Sequence, residues 1–292
     1  MAGKFTLNIL GSASAKPNLY RQSSAQLLQA AEHLFLIDCA EGTQQAFLKQ
    51  NRKLKEWCAV EHVQGIRRIS KTQLDAVFIS HIHGDHIFGL FPLLNTMALS
   101  GRTKPLKIFG PNNLGPVLTF YKSFWGEKDS FDLEFTPLKM KEPEQIMEVA
   151  GLVVSAFPLK HAIDTFGFLF KETSPALYKK EEYKPRSYAY CSDTADFPEL
   201  AGWVQGVDLL YHEATYMAVD KTKAEARFHS TTLDAARCAL EAKAGRLLVG
   251  HYSSSIKEDD IHDSYLKEAR SLFPDTVAVD DGDIFDVPLQ KL

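Results

Sequence analysis

Cysteine is scarce in this chain. There are four residues in 292, Cys39, Cys58, Cys191 and Cys238, and no two form a Cys-x-x-Cys pair. That spacing excludes a zinc ribbon and a dithiol redox motif, and it leaves the four to be read as reduced, mostly buried thiols of a cytoplasmic protein. Long apolar runs are missing too. None reaches the roughly 18 residues a spanning helix needs, and the apolar stretch at the N-terminus breaks at Gly11-Ser12, too early for an export signal. No membrane contact is expected, and an exported antibiotic-hydrolysing enzyme is excluded on the same ground. Neither a Pro/Gly/Ser-rich linker nor a fixed-period repeat divides the sequence, so residues 1–292 are expected to form a single domain. Charge of one sign is also lacking: 33 basic and 37 acidic residues give a net −4, which argues against a wholly basic nucleic-acid binder. The average hides one basic window, 49–71, with Lys49, Arg52, Lys53, Lys55, Arg67, Arg68 and Lys71 against Glu56 and Glu61. Such a window is either a solvated helix face or a phosphate-contacting patch.

What is present is a series of short apolar runs rich in β-branched and aromatic residues, at 5–10, 34–37, 76–79, 106–109, 152–157, 188–191, 207–211 and 247–249. Their length and composition favour strands. Between them, 87–99, 232–244 and 259–272 have helical patterning, the second stopped by Gly245 and the third followed by Pro274. Five of the strands run into a residue that binds metal or moves protons: His81, His161, Asp193, His212-Glu213 and His251. Strands deliver their ends to a common sheet edge, so this pattern describes an α/β enzyme with polar groups gathered at one edge.

The densest signal is Ser80-His81-Ile82-His83-Gly84-Asp85-His86. His81 and His83, two apart at a strand end, send their imidazoles to one side. Gly84 permits a sharp turn, after which Asp85 and His86 open the next helix with a different offset. One loop can therefore present two ligand sets to two ions. Imidazole with carboxylate suits zinc, while manganese and iron remain compatible. His161, Asp193 and His251 are the candidates to complete two three- or four-coordinate sites, with one carboxylate bridging ions about 3.5–4 Å apart. Glu213 and His229 admit two readings. They are either an edge carboxylate and a helix-capping histidine, or a hydrogen-bonded pair that protonates a leaving oxygen. His212 packs behind them, Phe88 and Phe91 are read as core, and Ser12 and Thr43 as turn formers. His33, His62 and His262 belong to no pattern.

The whole order of motifs resembles ribonuclease Z, the tRNA 3′-processing endonuclease family of the metallo-β-lactamase superfamily. The likeness runs through Gly11-Ser12-Ala13-Ser14-Ala15-Lys16-Pro17, Ile37-Asp38-Cys39-Ala40-Glu41-Gly42-Thr43-Gln44, His81 to His86 with Ile87-Phe88-Gly89-Leu90, Lys160-His161, Ser192-Asp193-Thr194, His212-Glu213-Ala214-Thr215, His229-Ser230-Thr231 and Gly250-His251-Tyr252-Ser253-Ser254. The resemblance implies an αββα sandwich, two packed mixed β-sheets flanked by helices, and usually a homodimer. It implies one zinc on His81, His83 and His161 and a second on Asp85, His86 and His251. Asp193 would bridge them, and Asp85 would accept the proton of the attacking water. It also implies a precursor tRNA substrate, cut to leave a tRNA 3′-hydroxyl and a trailer 5′-phosphate.

Two departures are visible. Family members commonly carry a long arm between the positions of His161 and Asp193 that grips the tRNA elbow, yet only 31 residues intervene here. Once flanking strands are set aside, 172–187 remains, with Lys179, Lys180, Lys184 and Arg186. The family also often has an arginine after the serine pair that follows the last ligand, where this chain has Ser255 and Ile256. The short arm and the acidic balance favour a different substrate, a small phosphodiester, lactone or thioester. The complete ligand set argues against a non-catalytic scaffold.

Overall fold

The computed structural model describes residues 4–16, 19–30, 32–60, 70–125, 130–173, 176–178 and 181–292. Arg67, Arg68 and His62, along with Lys179 and Lys180, lie outside them. The chain divides into two compact units, Thr6–Lys139 with Asp280–Asp286, and Met140–Val279 with Phe5 and Val287–Leu292.

The first unit is built on a seven-stranded sheet in the order Ile284–Asp286, Phe5–Gly11, Ala25–Ala30, His33–Ile37, Ala76–Phe78, Leu106–Pro111, Leu133–Leu138. The last four run parallel and the hairpin Ala25–Ala30/His33–Ile37 is antiparallel, so the sheet is mixed. Parallel strands covered by helices read as continuous apolar runs, and Ala76, Val77 and Phe78 are each wholly buried. Leu27, Leu36, Val77 and Ile79 join Leu93, Leu94 and Met97 of helix Leu90–Leu99 in one core.

The apolar segment 87–99 is not one helix. It splits into Gly84–Ile87 and Leu90–Leu99. The break has a local cause. The Gly89 amide donates to the Cys39 carbonyl at 2.8 Å and the Cys39 amide to the His86 carbonyl at 2.7 Å. This draws Gly89 so close that a Cβ there would sit 1.9 Å from the Ala40 carbonyl oxygen. Phe88 is thereby turned outward at 65% exposure, which corrects its assignment to the core, whereas Phe91 is partly buried against that core.

The second unit carries another seven-stranded mixed sheet, in the order Thr276–Ala278, Arg246–Gly250, Leu209–Glu213, Ser187–Cys191, Thr165–Glu172, Leu152–Leu159, Glu144–Val149. The first four strands are parallel and the remaining pairings antiparallel. Helix Thr232–Glu241 packs Ala235, Ala236 and Ala239 onto this sheet's core, and a reciprocal Thr231–Asp234 capping box fixes its start. The third helical segment is regular only at its ends, Glu258–Asp260 and Leu266–Leu272, with a π-helical turn at Ile261–Tyr265 between them. Where an arm would protrude there is a small antiparallel hairpin, Ala176–Tyr178 with Glu181–Tyr183. Its base is closed by a buried ion pair. The Arg186 guanidinium donates to both Glu172 oxygens, at 3.0 and 2.7 Å, and lies over the Phe5 ring.

Among the described residues, no helix is long and apolar enough to cross a membrane. Cys39, Cys191 and Cys238 are free and buried. Burial pushes the Cys238 thiol up to about 12 and raises those of Cys39 and Cys191. They are chemically quiet.

Candidate metal centre

In the first unit the ligand-type residues come from one loop. Strand Ala76–Phe78 ends three residues before His81, and Asp85 and His86 open the short helix Gly84–Ile87. His81 Nε2 and His83 Nδ1 converge to 3.0 Å. The two rings therefore point into one small space, as their spacing predicts. His86 Nε2 lies 3.6 Å from Asp85 Oδ2.

Behind this loop sits Asp38, wholly buried and in the left-handed region at φ 52°. Its Oδ1 accepts from the Ser80 amide at 2.7 Å. Its Oδ2 accepts from the Ser80 hydroxyl and from His86 Nδ1, both at 2.8 Å. With its proton committed to Asp38, the Ser80 oxygen accepts from His81 Nδ1 at 3.0 Å. Asp38 thus fixes Nδ1 as the protonated nitrogen of both rings, directly in His86 and through Ser80 in His81, and Nε2 is the nitrogen each can offer a cation. In the sequence Asp38 stands out only as one member of a motif. The signal for its role is a carboxylate directly after a buried strand.

In the second unit the residues arrive from separate strands. Asp193 follows strand Ser187–Cys191, Glu213 ends Leu209–Glu213 and His251 follows Arg246–Gly250, three parallel neighbours whose ends share one edge. Strand Leu152–Leu159 runs in the same sense, two antiparallel pairings away, and leads to His161. The topology therefore brings all four together. His251 Nε2 lies 3.2 Å from Asp193 Oδ1, and His161 Nε2 4.0 Å from Asp193 Oδ2. His161 Nδ1 donates to the Phe228 carbonyl at 3.0 Å. Phe228 and His251 both hold positive φ, at 56° and 63°. With Asp38, they make three of the five non-glycine residues of this kind among the described residues. Backbone strain gathers where these side chains are held.

Glu213 is wholly buried. Its Oε1 accepts from the amides of Thr194 and Ser230 and from His229 Nδ1 at 3.0 Å, and its Oε2 from the amide and hydroxyl of Thr215, each at 2.8 Å. Burial opposes its charge, but the charge and hydrogen bond of the neighbouring His229 prevail and hold the carboxyl below its usual range. Glu213 and His229 are hydrogen-bonded to each other, as the paired reading requires of their geometry. Thr215 carries no signal of its own in the sequence, yet its hydroxyl is also 2.8 Å from His251 Nδ1. His212 is buried, with Nδ1 against the Glu213 carbonyl.

The chain thus carries clusters of histidines and carboxylates able to hold metal ions. In the Nδ1-anchored rings Nε2 is the nitrogen left to offer a cation, the arrangement expected of metal-binding histidines.

Residues 33–252 match the model of the beta-lactamase superfamily domain. Ribonuclease Z of Bacteroides fragilis is 33% identical over 312 aligned positions, covering 94% of this chain and 96% of that one. The chain belongs to the ribonuclease Z family. Ribonuclease Z of Azobacteroides pseudotrichonymphae is 34% identical, again over 94% of this chain and 96% of its own. The crystal structure of human tRNase Z, short form, superimposes with a TM-score of 0.76 over 97% of this chain and 99% of that one; at 24% identity it shows the shared fold. As a member of the ribonuclease Z family the protein is a metal-dependent hydrolase of the metallo-β-lactamase fold, with two mixed sheets and flanking helices. The 312-position alignment takes in about 274 residues of this chain, so the Bacteroides fragilis ribonuclease Z carries roughly 38 positions with no counterpart here.

Proposed function

We propose that the protein is an endoribonuclease that removes the 3′ trailer from precursor tRNA, leaving a 3′-hydroxyl on the tRNA and a 5′-phosphate on the trailer. The observation that carries this reading is the Glu213–His229 pair beside Asp193 and His251. A proton donor held next to metal-type ligands is what cleavage of an unactivated phosphodiester requires. Membership in the ribonuclease Z family supplies the substrate class. The two units act as one catalytic domain, in a homodimer.

His81, His83 and His161 would hold one zinc and Asp85, His86 and His251 the other, with Asp193 shared. Bound there, two divalent cations supply an activated water near neutral pH and neutralise charge on the phosphate oxygens. Asp85 takes up the water's proton. His229, protonated and fixed by Glu213, gives its Nε2 proton to the departing ribose oxygen. Glu213 stays ionised throughout, because its five hydrogen-bond donors and the adjacent imidazolium all favour the carboxylate. Exposed Lys49, Arg52 and Lys55 on helix Thr43–Val60 provide a surface for tRNA phosphates.

A second reading is favoured by the short hairpin Ala176–Tyr178/Glu181–Tyr183, which stands where an elbow-gripping arm would be. In that reading the substrate is a small phosphodiester, lactone or thioester. Incubation with a 3′-extended tRNA precursor, and separately with a chromogenic phosphodiester, distinguishes the two. Endonucleolytic trailer release at the expected end supports the first. Turnover of the small ester alone overturns it.

A further inference from the structure

Thr215 stands between two groups to which the mechanism gives different tasks. Its hydroxyl oxygen lies 2.8 Å from Glu213 Oε2, 2.8 Å from His251 Nδ1 and 3.3 Å from His229 Nδ1. A hydroxyl has one proton. Both Glu213 oxygens already accept from backbone amides, Oε1 from Thr194 and Ser230 and Oε2 from Thr215, so the carboxyl acts as the acceptor and the hydroxyl proton goes to Oε2. The oxygen then faces His251 as an acceptor, and His251 must carry its proton on Nδ1. Its Nε2, 3.2 Å from Asp193 Oδ1, is thereby fixed as the ligating nitrogen. The same carboxylate, through Oε1, holds His229 at 3.0 Å.

We infer that Thr215 is a positioning residue that links metal binding to proton donation. Glu213 orients the general acid His229 with one oxygen and, through the Thr215 hydroxyl, sets the tautomer of the metal ligand His251 with the other. The Thr215–Glu213 link is local and buried: Thr215 is 3% exposed and Glu213 0%. The Thr215 amide also binds Glu213 Oε2 at 2.8 Å, so the hydroxyl is not needed to hold the carboxylate in place. Its distinct contribution is toward His251. The inference rests on the proposed assignment of His251 as a metal ligand and of His229 as the proton donor.

Thr215→Val keeps the shape of the side chain and removes the hydroxyl, and Thr215→Ser keeps the hydroxyl. Zinc affinity is measured by competition against a chromophoric chelator, on metal-stripped protein of the full chain. Thr215→Val is expected to weaken one of two bound equivalents by about 10–100-fold, the usual effect of losing such a partner, while the other equivalent is unchanged. Thr215→Ser should restore wild-type affinity. Equal affinities in wild type and Thr215→Val overturn the inference. So does a loss shared equally by the valine and serine variants, which marks a packing effect. If the valine variant does not fold, the wild-type protein still decides the matter. In ¹⁵N-histidine spectra His251 should be protonated at Nδ1, and protonation at Nε2 overturns the relay. A wild-type protein that takes up no zinc would instead overturn the metal assignment itself, so the two failures are distinguishable.

Discussion

The two units solve the same problem with different parts. In the first, the buried carboxylate of Asp38 holds His86 directly and His81 through the Ser80 hydroxyl. In the second, the buried carboxylate of Glu213 holds His229 directly and reaches His251 through the Thr215 hydroxyl. Both are carboxylate–hydroxyl–imidazole relays. The first serves only candidate ligands, however, whereas the second divides its two oxygens between a candidate ligand and the proposed proton donor. Similar polar networks are therefore expected to respond differently to mutation. Damage to the first should appear as loss of metal, and damage to the second should separate into metal and proton-transfer defects.

The largest expected effect comes from the first unit. His81→Ala removes a proposed ligand, and metal and activity should be lost together, read by elemental analysis and an RNA cleavage assay on the same sample. Full activity without metal would remove the comparison's basis. Next is His229→Ala, which should keep its metal and lose rate by roughly 10²–10⁴-fold on RNA, the span usual for general acid catalysis. The deficit should shrink on a nitrophenyl phosphodiester, whose leaving group needs no proton. Equal slowing of both substrates would give His229 a purely structural role, like that of Ser80.

How much of this was legible in the sequence follows from the same contrast. The first set lies within six positions, His81 to His86, so spacing alone exposed it. The second set is spread from His161 to His251 and becomes a site only through the parallel register of Cys191 with His212 and of Glu213 with Gly250. It was readable because each member follows an apolar strand. The relays were not readable. Ser80 and Thr215 are ordinary small polar residues until their neighbours are known, and the left-handed backbone at Asp38 and His251 has no glycine to announce it. Strands of low apolar contrast, such as Glu144–Val149 with half its residues exposed, also gave no alternation to detect. Phe88 misled because its apolar neighbours form a helix that Gly89 interrupts.

Smaller effects sharpen the comparison. Asp38→Asn retains the shape but places a donor where two protons point, and metal affinity should fall by about 10–100-fold with no change in leaving-group dependence. A change in that dependence would mean the first relay also governs proton transfer. Replacing Lys49, Arg52 and Lys55 by alanine should flatten the salt dependence of tRNA binding by roughly 0.7–0.9 in log–log slope for each phosphate no longer neutralised. An unchanged slope would return this helix face to plain solvation.

The smallest effect concerns stability alone. Asp234 is buried at the start of helix Thr232–Glu241, and burial would raise its pKa. Lys221 and the side chain and amide of Thr231 outweigh that and hold it at about 2, against an ordinary 3.8. A depressed carboxyl stabilises the fold above its ordinary pKa, and the contribution is lost as pH falls toward 2. Asp234→Asn should therefore cost about 1 kcal/mol in urea melts at pH 7, the usual worth of such a cap. The gap to wild type should narrow between about pH 4 and pH 2. A gap that stays constant with pH would show that the carboxylate's charge is not what the capping box uses.

The central proposal is that His81, His83, Asp85, His86, His161, Asp193 and His251 hold two ions per chain. Elemental analysis of metal-replete, carefully purified protein tests it most directly. Two equivalents of metal per chain are the expected result. A stable maximum of one equivalent in fully active protein would contradict it.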